Sequence, residues 1–402
     1  MRRWDVAEGE KERSLMSRKL LMGMVGGGTG AFIGAVHRMA ASLDGQTVLA
    51  CGAFSRNPEN CRQTGKALFL PPERVYASYA DMFAREKILP QGKRMDFVAI
   101  VTPNHLHFPV AKAALEAGFH VVCDKPMTFS LSEAKRLATL VQRSGLLFAL
   151  THNYTGYPLV KEMRERAQNG SIGKIRKVVV EYLQGWLSTR LEGTGQKQAS
   201  WRTDPKRSGV SGCMGDIGTH AENIVEYVTG LRIERLCADL RAVVKGRRLD
   251  DDGSVLLRLT GGAQGLLYAS QVAAGEENGL RLRIYGERGG LEWSHTDPNT
   301  LLVKWLEHPM EVVRAGTNSP YLSKAALKAL RLPSGHPEGF IEGFANVYHS
   351  FALALRRRLE GKRPLPEQFD FPTVEDGVRG IAFVEALLRS ACTPRKWTKM
   401  RV

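Results

Sequence analysis

The sequence predicts an α/β protein of two domains, the first built on a doubly wound parallel sheet and the second rich in antiparallel strands. From residue 20 to about residue 150, short apolar runs alternate with helical patterns. A glycine-rich turn joins the first apolar run to the first helical pattern. Further along, alternating runs separated by turn residues indicate an antiparallel meander. We therefore place a flexible tail at residues 1–19, a first domain at 20–150 and a second at 151–402.

The elements of the first domain are predicted from apolar runs and from the residues that bound them. Strands are predicted over residues 20–25, 47–54, 97–101 and 120–123, and helices over 33–43 and 110–117. Pro109 and Gly118 frame the second helix, because proline fits a first helical turn and glycine fits the position after the last. Ser130 and Glu133 form a capping box that opens a further helix, ending near residues 144–145.

The second domain begins with a helix and a strand and continues mainly with strands. Helices are predicted over 158–168 and 215–228, the latter closed by Gly230, and strands over 174–183, 255–259, 265–271, 280–285 and 290–293. Two late helices are predicted over 337–359 and 374–390, the second opened by Thr373 and Asp376. Residues 185–212 predict a long loop, a kind of segment that often carries function.

The composition is that of a folded globular protein. Of the 402 residues, 43% are hydrophobic and 24% charged, which excludes a disordered, fibrous or disulfide-stapled miniature protein. The formal charge of +16 fits an anionic ligand or a solvated basic surface. The densest basic stretches, at 356–363 and 395–401, lie in no recognisable nucleic-acid module, so we expect no nucleic-acid partner.

Cysteine usage and hydropathy indicate the compartment. The six cysteines form no CxxC pair, which argues against structural zinc and a disulfide framework and favours a reducing cytoplasm. No apolar run approaches the roughly 18 residues of a membrane-spanning helix. The apolar stretch at 20–36 has five glycines between residues 26 and 34, which suit a phosphate-binding turn better than an export signal, and Arg2-Arg3 is not followed by a hydrophobic region. We expect a cytoplasmic protein with no membrane partner.

The glycine-rich turn is the first candidate site. It follows a predicted strand and opens a predicted helix, which is the context that a dinucleotide-binding turn requires. Glycines let backbone amides approach a pyrophosphate closely, and the helix N-terminus offers free donors and a positive dipole. A tight strand-to-helix turn without a ligand is the simpler alternative. The residues expected to contact the cofactor are Gly26, Gly28, Thr29, Gly30, Ala31, Phe32 and Ile33.

The end of the second strand bears on which dinucleotide binds. An NAD-specific site usually places an acidic residue there, on the ribose hydroxyls. This chain has Ser55 and Arg56 instead, which suit a 2′-phosphate through charge-assisted hydrogen bonds. The sequence therefore favours NADP over NAD, with adenine stacking or solvent exposure as the alternative role of Arg56.

Two further motifs follow predicted strands and so lie at the carboxyl edge of the sheet, where ligands bind. The first contains Thr102, Pro103, Asn104 and His107. Its two histidines, at 105 and 107, are accompanied by no further ligand cluster, so no metal site is expected, and His107 is predicted to cap the next helix. The second motif, Asp124-Lys125-Pro126, brings an ammonium group to the same edge, although a surface lysine before a turn is an alternative.

The last motif pairs Asp216 with His220. Their four-residue spacing puts both side chains on one face of the predicted helix. An imidazole titrates near neutral pH and accepts a hydroxyl proton, and a neighbouring carboxylate fixes its orientation. An exposed helical ion pair would show the same spacing.

Taken together, these motifs resemble the Gfo/Idh/MocA family of oxidoreductases, named for glucose-fructose oxidoreductase, inositol dehydrogenase and a rhizopine catabolism protein. The resemblance covers nearly all of the chain. It implies a Rossmann domain followed by an α/β domain whose large, open, mostly antiparallel sheet often forms the oligomer interface, as a dimer or tetramer. It also implies a catalytic trio of Lys125, Asp216 and His220. The family's usual Glu-Lys-Pro is Asp124-Lys125-Pro126 here, one methylene shorter.

The resemblance implies hydride transfer between nicotinamide and a secondary alcohol of a sugar, inositol or glycoside. His220 would take the hydroxyl proton, Asp216 would orient it and Lys125 would stabilise the oxygen, with the roles of lysine and histidine exchangeable. The candidate substrate contacts are Tyr154, Trp186, Trp201 and His336, with core packing as the alternative for the three aromatic residues. Redox-neutral glycoside cleavage and a non-enzymatic sensor of dinucleotide or sugar are the competing functions. The substrate, its reacting carbon and the reaction direction stay open.

Overall fold

The computed structural model describes residues 18–402, which form two sheets with helices packed against them. The predicted tail, apart from Arg18 and Lys19, lies outside these residues. The first sheet is entirely parallel, with strand order β2-β1-β3-β4-β5. Its strands are β1 (Leu20–Gly26), β2 (Thr47–Ala53), β3 (Phe97–Val101), β4 (His120–Cys123) and β5 (Phe148–Leu150). The predicted parallel sheet is confirmed.

Five helices connect these strands. They are α1 (Phe32–Ser42), α2 (Pro58–Ala67), α3 (Tyr79–Lys87), α4 (His107–Glu116) and α5 (Leu131–Ser144). Helix α5 begins as predicted, since Ser130 accepts a hydrogen bond from the backbone of Glu133 at 3.3 Å. Helix α4 begins three residues before its predicted start, because Pro109 tolerates the third position of a first turn as well as the first.

The second sheet has nine strands in the order β13-β12-β11-β10-β6-β9-β8-β7-β14. Only β6 and β9 pair in parallel, so the sheet is mostly antiparallel as expected. Its strands are β6 (Lys177–Leu183), β7 (Ile233–Arg241), β8 (Asp252–Leu259), β9 (Gln264–Ser270), β10 (Gly279–Tyr285), β11 (Gly289–Ser294), β12 (Asp297–Trp305), β13 (Glu311–Arg314) and β14 (Thr398–Lys399).

The helices of the second half are α6 (Pro158–Gln168), α7 (Lys197–Arg202), α8 (Pro205–Ser208), α9 (Thr219–Thr229), α10 (Lys324–Leu327), α11 (Phe340–Leu359) and α12 (Val374–Ala391). Side chains of α6, α9 and α12 bury one face of the nine-stranded sheet. The opposite face carries half-exposed apolar residues, among them Leu256 and Leu266, 42% and 37% exposed. This second face is the open face.

Helices α11 and α12 also complete the core of the first sheet. Phe344 and Phe351 of α11 pack with Phe97 of β3, and Val378 of α12 lies in the cluster on the other side of that sheet. Both helices fall within the predicted second domain, yet their apolar residues cover both faces of the first sheet.

Two local predictions need correction. The helix predicted over 215–228 is divided into a π-helical turn at Met214–Gly218 and the α-helix α9. A π turn adds a residue to the repeat, so the four-residue spacing does not keep one face through it. The loop predicted over residues 185–212 contains two short helices, α7 and α8. We call residues 185–212, including these helices, the 185–212 segment.

Candidate active site

The glycine turn between β1 and α1 has the geometry of a phosphate cradle. Gly26, Gly27 and Gly30 have φ angles of 86°, 72° and 81°, which side-chain-bearing residues rarely adopt. A Cβ atom at Gly26 would lie 2.7 Å from the carbonyl oxygen of Val101, so only glycine fits against β3. The backbone N–H of Thr29 donates to Thr64 at 2.9 Å and fixes the turn against α2.

The N-terminus of α1 is free to bind an anion. No side chain caps this helix end and its first turn has no acidic residue. The first N–H groups of a helix have no partners within it, and the helix dipole is positive there. Ala31 is the residue before the helix, Phe32 begins it with 65% of its side chain exposed, and Ile33 follows. The turn therefore fits the pyrophosphate of a dinucleotide.

Ser55 and Arg56 lie just after β2, beside the glycine turn. The Ser55 hydroxyl accepts a hydrogen bond from the backbone of Asn57 at 3.1 Å, and the side chain of Arg56 is exposed. The backbone N–H of Gly28 donates to the carbonyl of Phe54 at 3.2 Å, so the two segments are joined.

The motif after β3 forms the next part of the site. Thr102 and Pro103 lead into a 3-10 turn at Asn104–Leu106, and the hydroxyl oxygen of Thr102 is buried without a hydrogen-bond partner among residues 18–402. Asn104 donates to the carbonyl of Ser208 at 2.9 Å and so fastens the 185–212 segment to this edge. A buried hydroxyl without a partner suits a site that a polar ligand completes.

His107 does not cap a helix, contrary to the prediction. Its ring is fully buried, with Nδ1 2.7 Å from the carbonyl oxygen of Pro126 and Nε2 2.8 Å from that of Thr102. Burial lowers the pKa of this ring. His107 therefore joins the ends of β3 and β4 and positions the two ligand-binding motifs against each other.

Lys125 and Asp216 form the centre of the site. The Lys125 ammonium lies 2.5 Å from Oδ1 of Asp216 and 2.8 Å from the same residue's carbonyl oxygen. The other carboxylate oxygen accepts hydrogen bonds from Nε of Arg202 at 3.1 Å and from Gln271 at 2.9 Å. Burial alone would raise the pKa of Asp216, but the charges of Lys125 and Arg202 outweigh it and hold that pKa below its usual range.

His220 lies beside this pair, but its hydrogen bond is to another histidine. Its Nδ1 is 3.3 Å from Nδ1 of His152, and Tyr154 packs edge-on against the ring. No hydrogen bond joins Asp216 to His220 in the part of the chain that the structure describes, which corrects the expected orienting role of Asp216. Burial, followed by the charges of Lys125 and His152, lowers the pKa of His220 well below its usual value. Burial therefore favours the neutral imidazole, which keeps a lone pair on one of its two nitrogens.

Asp124 supports the backbone of the lysine. Its Oδ1 accepts hydrogen bonds from the N–H of Lys125 and the hydroxyl of Thr151, both at 2.9 Å. His37 of α1 is fully buried behind it, with Nε2 at 3.8 Å from Oδ1 and Nδ1 at 2.7 Å from the hydroxyl of Tyr348. Burial opposes ionisation of Asp124, but His37 and Lys125 lower its pKa to about 2.

Further polar groups lie where β6 ends and where β10 begins, and no sequence motif marks them. Asn278 hydrogen-bonds the hydroxyls of Tyr182 and Tyr154 at 2.8 and 3.0 Å and the amide of Gln184 at 2.8 Å. Tyr154 is buried, so it supports His220 from the core. The residues missed around the site are His152, Tyr182, Gln184, Arg202, Gln271 and Asn278. Most are single polar residues in strands or loops, whose placement depends on the sheet pairing.

The remaining predicted contacts divide into two groups. Trp186 donates to Gln184 at 3.0 Å. The guanidinium carbon of Arg202 lies 5.9 Å from the ring centre of Trp186 and 4.3 Å from that of Trp201, so both tryptophans border the arginine that binds Asp216. His336 is exposed and its Nδ1 is 3.2 Å from the carbonyl oxygen of Pro333. The structure does not bring His336 to the site.

Residues 18–402 contain no group of three or more histidine, cysteine or acidic side chains placed to hold a metal ion. None of their helices combines the length and the apolar character needed to cross a membrane.

Two family models match the chain. Residues 20–152 match an oxidoreductase family with an NAD-binding Rossmann fold, and residues 160–292 match the GFO/IDH/MocA C-terminal domain. Fold and site together define a dinucleotide-binding oxidoreductase. The "Uncharacterized oxidoreductase YfiI" of Bacillus subtilis is 32% identical over 390 residues, covering 96% of this chain and 98% of the relative. The chain belongs to the Gfo/Idh/MocA family.

Solved structures of similar proteins extend over both domains. An oxidoreductase from Sinorhizobium meliloti has a TM-score of 0.86 at 44% identity, covering 95% of this chain and 100% of that one. An inositol dehydrogenase homologue from Azotobacter vinelandii complexed with NAD+ has a TM-score of 0.89 at 35% identity, covering 95% and 98%. The inositol dehydrogenase homologue from that organism is also solved with NADH and myo-inositol, at a TM-score of 0.86 and 34% identity over 95% and 98% of the two chains.

Proposed function

We propose that this protein reversibly oxidises a secondary alcohol of a cyclic polyol or sugar, with NAD or NADP as hydride acceptor. The observation that carries the proposal is the juxtaposition of a neutral, buried His220 with the Lys125–Asp216 pair at the ligand-binding edge of the sheet. The inositol dehydrogenase homologue with NADH and myo-inositol supports this substrate class.

The bound nicotinamide supplies hydride transfer, so the chain's own residues need to move only a proton. His220 accepts the proton of the substrate hydroxyl, since its lowered pKa keeps the ring neutral. An ammonium has three N–H donors, and Asp216 takes two of those of Lys125 through its carboxylate and its carbonyl. The third is available to the substrate oxygen, where it stabilises developing negative charge. Lys125 and His220 are exchangeable in these roles.

Asp216 acts on Lys125 in this proposal. Its carboxylate and carbonyl oxygens fix the direction of the ammonium, and Arg202 and Gln271 fix the carboxylate in turn. Gln184 and Trp186 border this centre and supply amide and aromatic surface for a polyhydroxylated ring.

We infer NADP as the preferred cofactor, because the segment after β2 presents Arg56 and no carboxylate. The Azotobacter homologue binds NAD+, so both cofactors enter the test.

The first experiment follows nicotinamide absorbance with NAD and with NADP across inositols, aldoses and glycosides. Lys125→Met and His220→Ala should each lower kcat by about 10²–10⁴ while cofactor affinity stays within about twofold. Tight cofactor binding without net reduction of the nicotinamide, together with cleavage of a glycoside, would favour redox-neutral glycoside cleavage over alcohol oxidation. Binding with neither reaction would favour a sensor.

A further inference from the structure

Lys197, the first residue of α7, reaches from the 185–212 segment to the glycine turn. Its Nζ lies 3.4 Å from the carbonyl oxygen of Gly30. It is also the nearest heavy atom, at 3.7 Å, to the position that a Cβ atom at Gly30 would occupy. The ammonium therefore stands directly over the turn that receives the pyrophosphate.

This placement is electrostatically unfavourable without an anion. The N-terminus of α1 is positive and lacks both a capping side chain and an acidic residue in its first turn. Within residues 18–402, no carboxylate lies within ion-pair distance of the Lys197 ammonium. A second positive group faces a positive helix end, and a phosphate between them would satisfy both.

The position of Lys197 is held by contacts on both sides of it. Gln196 caps α7 by accepting the N–H of Ala199 at 2.6 Å, and Ala199 is fully buried. At the other end of α7, Arg202 binds the carboxylate of Asp216. Further along, Ser208 accepts the amide of Asn104. The same short helix thus reaches the glycine turn at one end and the catalytic carboxylate at the other.

We propose that Lys197 binds the dinucleotide pyrophosphate from the side opposite the N-terminus of α1, so that the second domain closes over the cofactor. The proposal rests on dinucleotide binding at this turn and is independent of which alcohol is oxidised. A lysine suits the role, because a compact ammonium binds phosphate as a point charge and its exposed stem allows the cofactor to leave.

The test is cofactor affinity of the full-length protein, measured by calorimetry with NAD, NADP, ADP-ribose and adenosine. Lys197→Gln should raise Kd for the three pyrophosphate-containing ligands about tenfold, and leave Kd for adenosine within about twofold. Lys197→Arg should retain affinity to within about threefold. Lys135→Gln, at an exposed lysine of α5, is the control for the loss of one positive charge.

The salt dependence gives a second readout. The dependence of log Kd on log salt concentration should be shallower for Lys197→Gln than for the parent, because salt screens the attraction between the ammonium and the pyrophosphate that this variant lacks. Unchanged affinity for ADP-ribose would overturn the proposal. A loss confined to NADP would also overturn it, because the ammonium would then bind the 2′-phosphate. Because the readout is binding, a protein that binds NAD without turnover would contradict the proposed function and leave this proposal intact.

Discussion

Nδ1 of His152 and Nδ1 of His220 face each other at 3.3 Å, and both rings are buried. Only one of these two nitrogens carries the shared proton, because a hydrogen bond needs one donor and one acceptor. When His220 donates through Nδ1, its Nε2 is left with a lone pair for the substrate proton. The contact therefore couples the tautomers of the two rings, and His220 can act as a base when His152 is the acceptor.

Replacing His152 should test this coupling. His152→Leu removes the acceptor, and we expect kcat for alcohol oxidation to fall about 10–100-fold while Kd for NAD(P)H is unchanged. His152→Asn restores an acceptor and should recover most of the activity. Loss of His152 should also shift the acidic limb of kcat/KM to higher pH, because His152 lowers the pKa of His220. If both variants lose kcat equally and the pH profile does not shift, His152 contributes packing alone.

Cofactor choice should depend on Arg56. Arg56→Ala should lower the NADP-over-NAD ratio of kcat/KM about tenfold, and Arg56→Glu should favour NAD, since a carboxylate accepts from the ribose hydroxyls and repels a 2′-phosphate. The measurement is kcat/KM with each cofactor at saturating substrate. Lys66→Ala, at an exposed lysine of α2, is the matched control. A ratio that stays constant in all three variants would show that Arg56 lies outside the adenosine site.

The open face should mediate self-association, which we propose gives a dimer or tetramer. Leu256 of β8 and Leu266 of β9 are direct cross-strand partners and are both half-exposed on this face. Leu256→Glu combined with Leu266→Glu places two charges there and should yield monomers in light scattering. Val243→Glu, in an exposed loop, should leave the assembly intact. A parent protein that is already monomeric would contradict the proposal.

Stability should fall on mild acidification. Burial lowers the pKa of His120 to about 4, and burial with the charge of Lys125 lowers that of His152 to about 3. The unfolded chain binds protons near pH 6.5, so it is favoured as the pH falls from there towards the folded values. Each histidine should contribute a loss of up to about 1.4 kcal/mol per pH unit.

Denaturant unfolding at pH 7, 6 and 5 measures this effect. His120 accepts a backbone hydrogen bond from Leu147 at 2.9 Å, so His120→Asn keeps an acceptor and should reduce the pH dependence. A free energy of unfolding that is constant between pH 7 and 5 would show that these rings do not titrate differently in the two states.

Much of the first domain is predictable from sequence because its signals are local. The turn glycines and the caps of α5 depend on residues a few positions apart, and the structure places them as expected. The partner of Asp216 is different. The four-residue spacing predicts His220, but a π turn breaks the helical repeat, and the carboxylate accepts from Lys125, 91 residues away. The partner of Asp216 therefore depends on the tertiary packing of the two sheets, which local sequence patterns do not reveal.

The predicted substrate contacts show the same limit. Trp186 and Trp201 reach the site through the 185–212 segment, and Tyr154 reaches it as a buried support for His220. His336 stands in a motif before a long helix, yet it is exposed and bonds locally. A motif predicts which chemistry a residue offers, whereas its tertiary contacts decide whether that chemistry is used.

The contribution of α11 to the core of the first sheet has a consequence for biosynthesis. A nascent chain that has emerged only to residue 150 has all five parallel strands but lacks the aromatic side chains that cover β3 on the side of α1. The cofactor domain therefore reaches its final packing only after residues 340–391 have left the ribosome, and until then the apolar side chains that these helices cover stay exposed. In a chimera that exchanges only the first 150 residues between relatives, the first sheet and α11 would come from different proteins. The side chains that pack between them would then not be matched to each other.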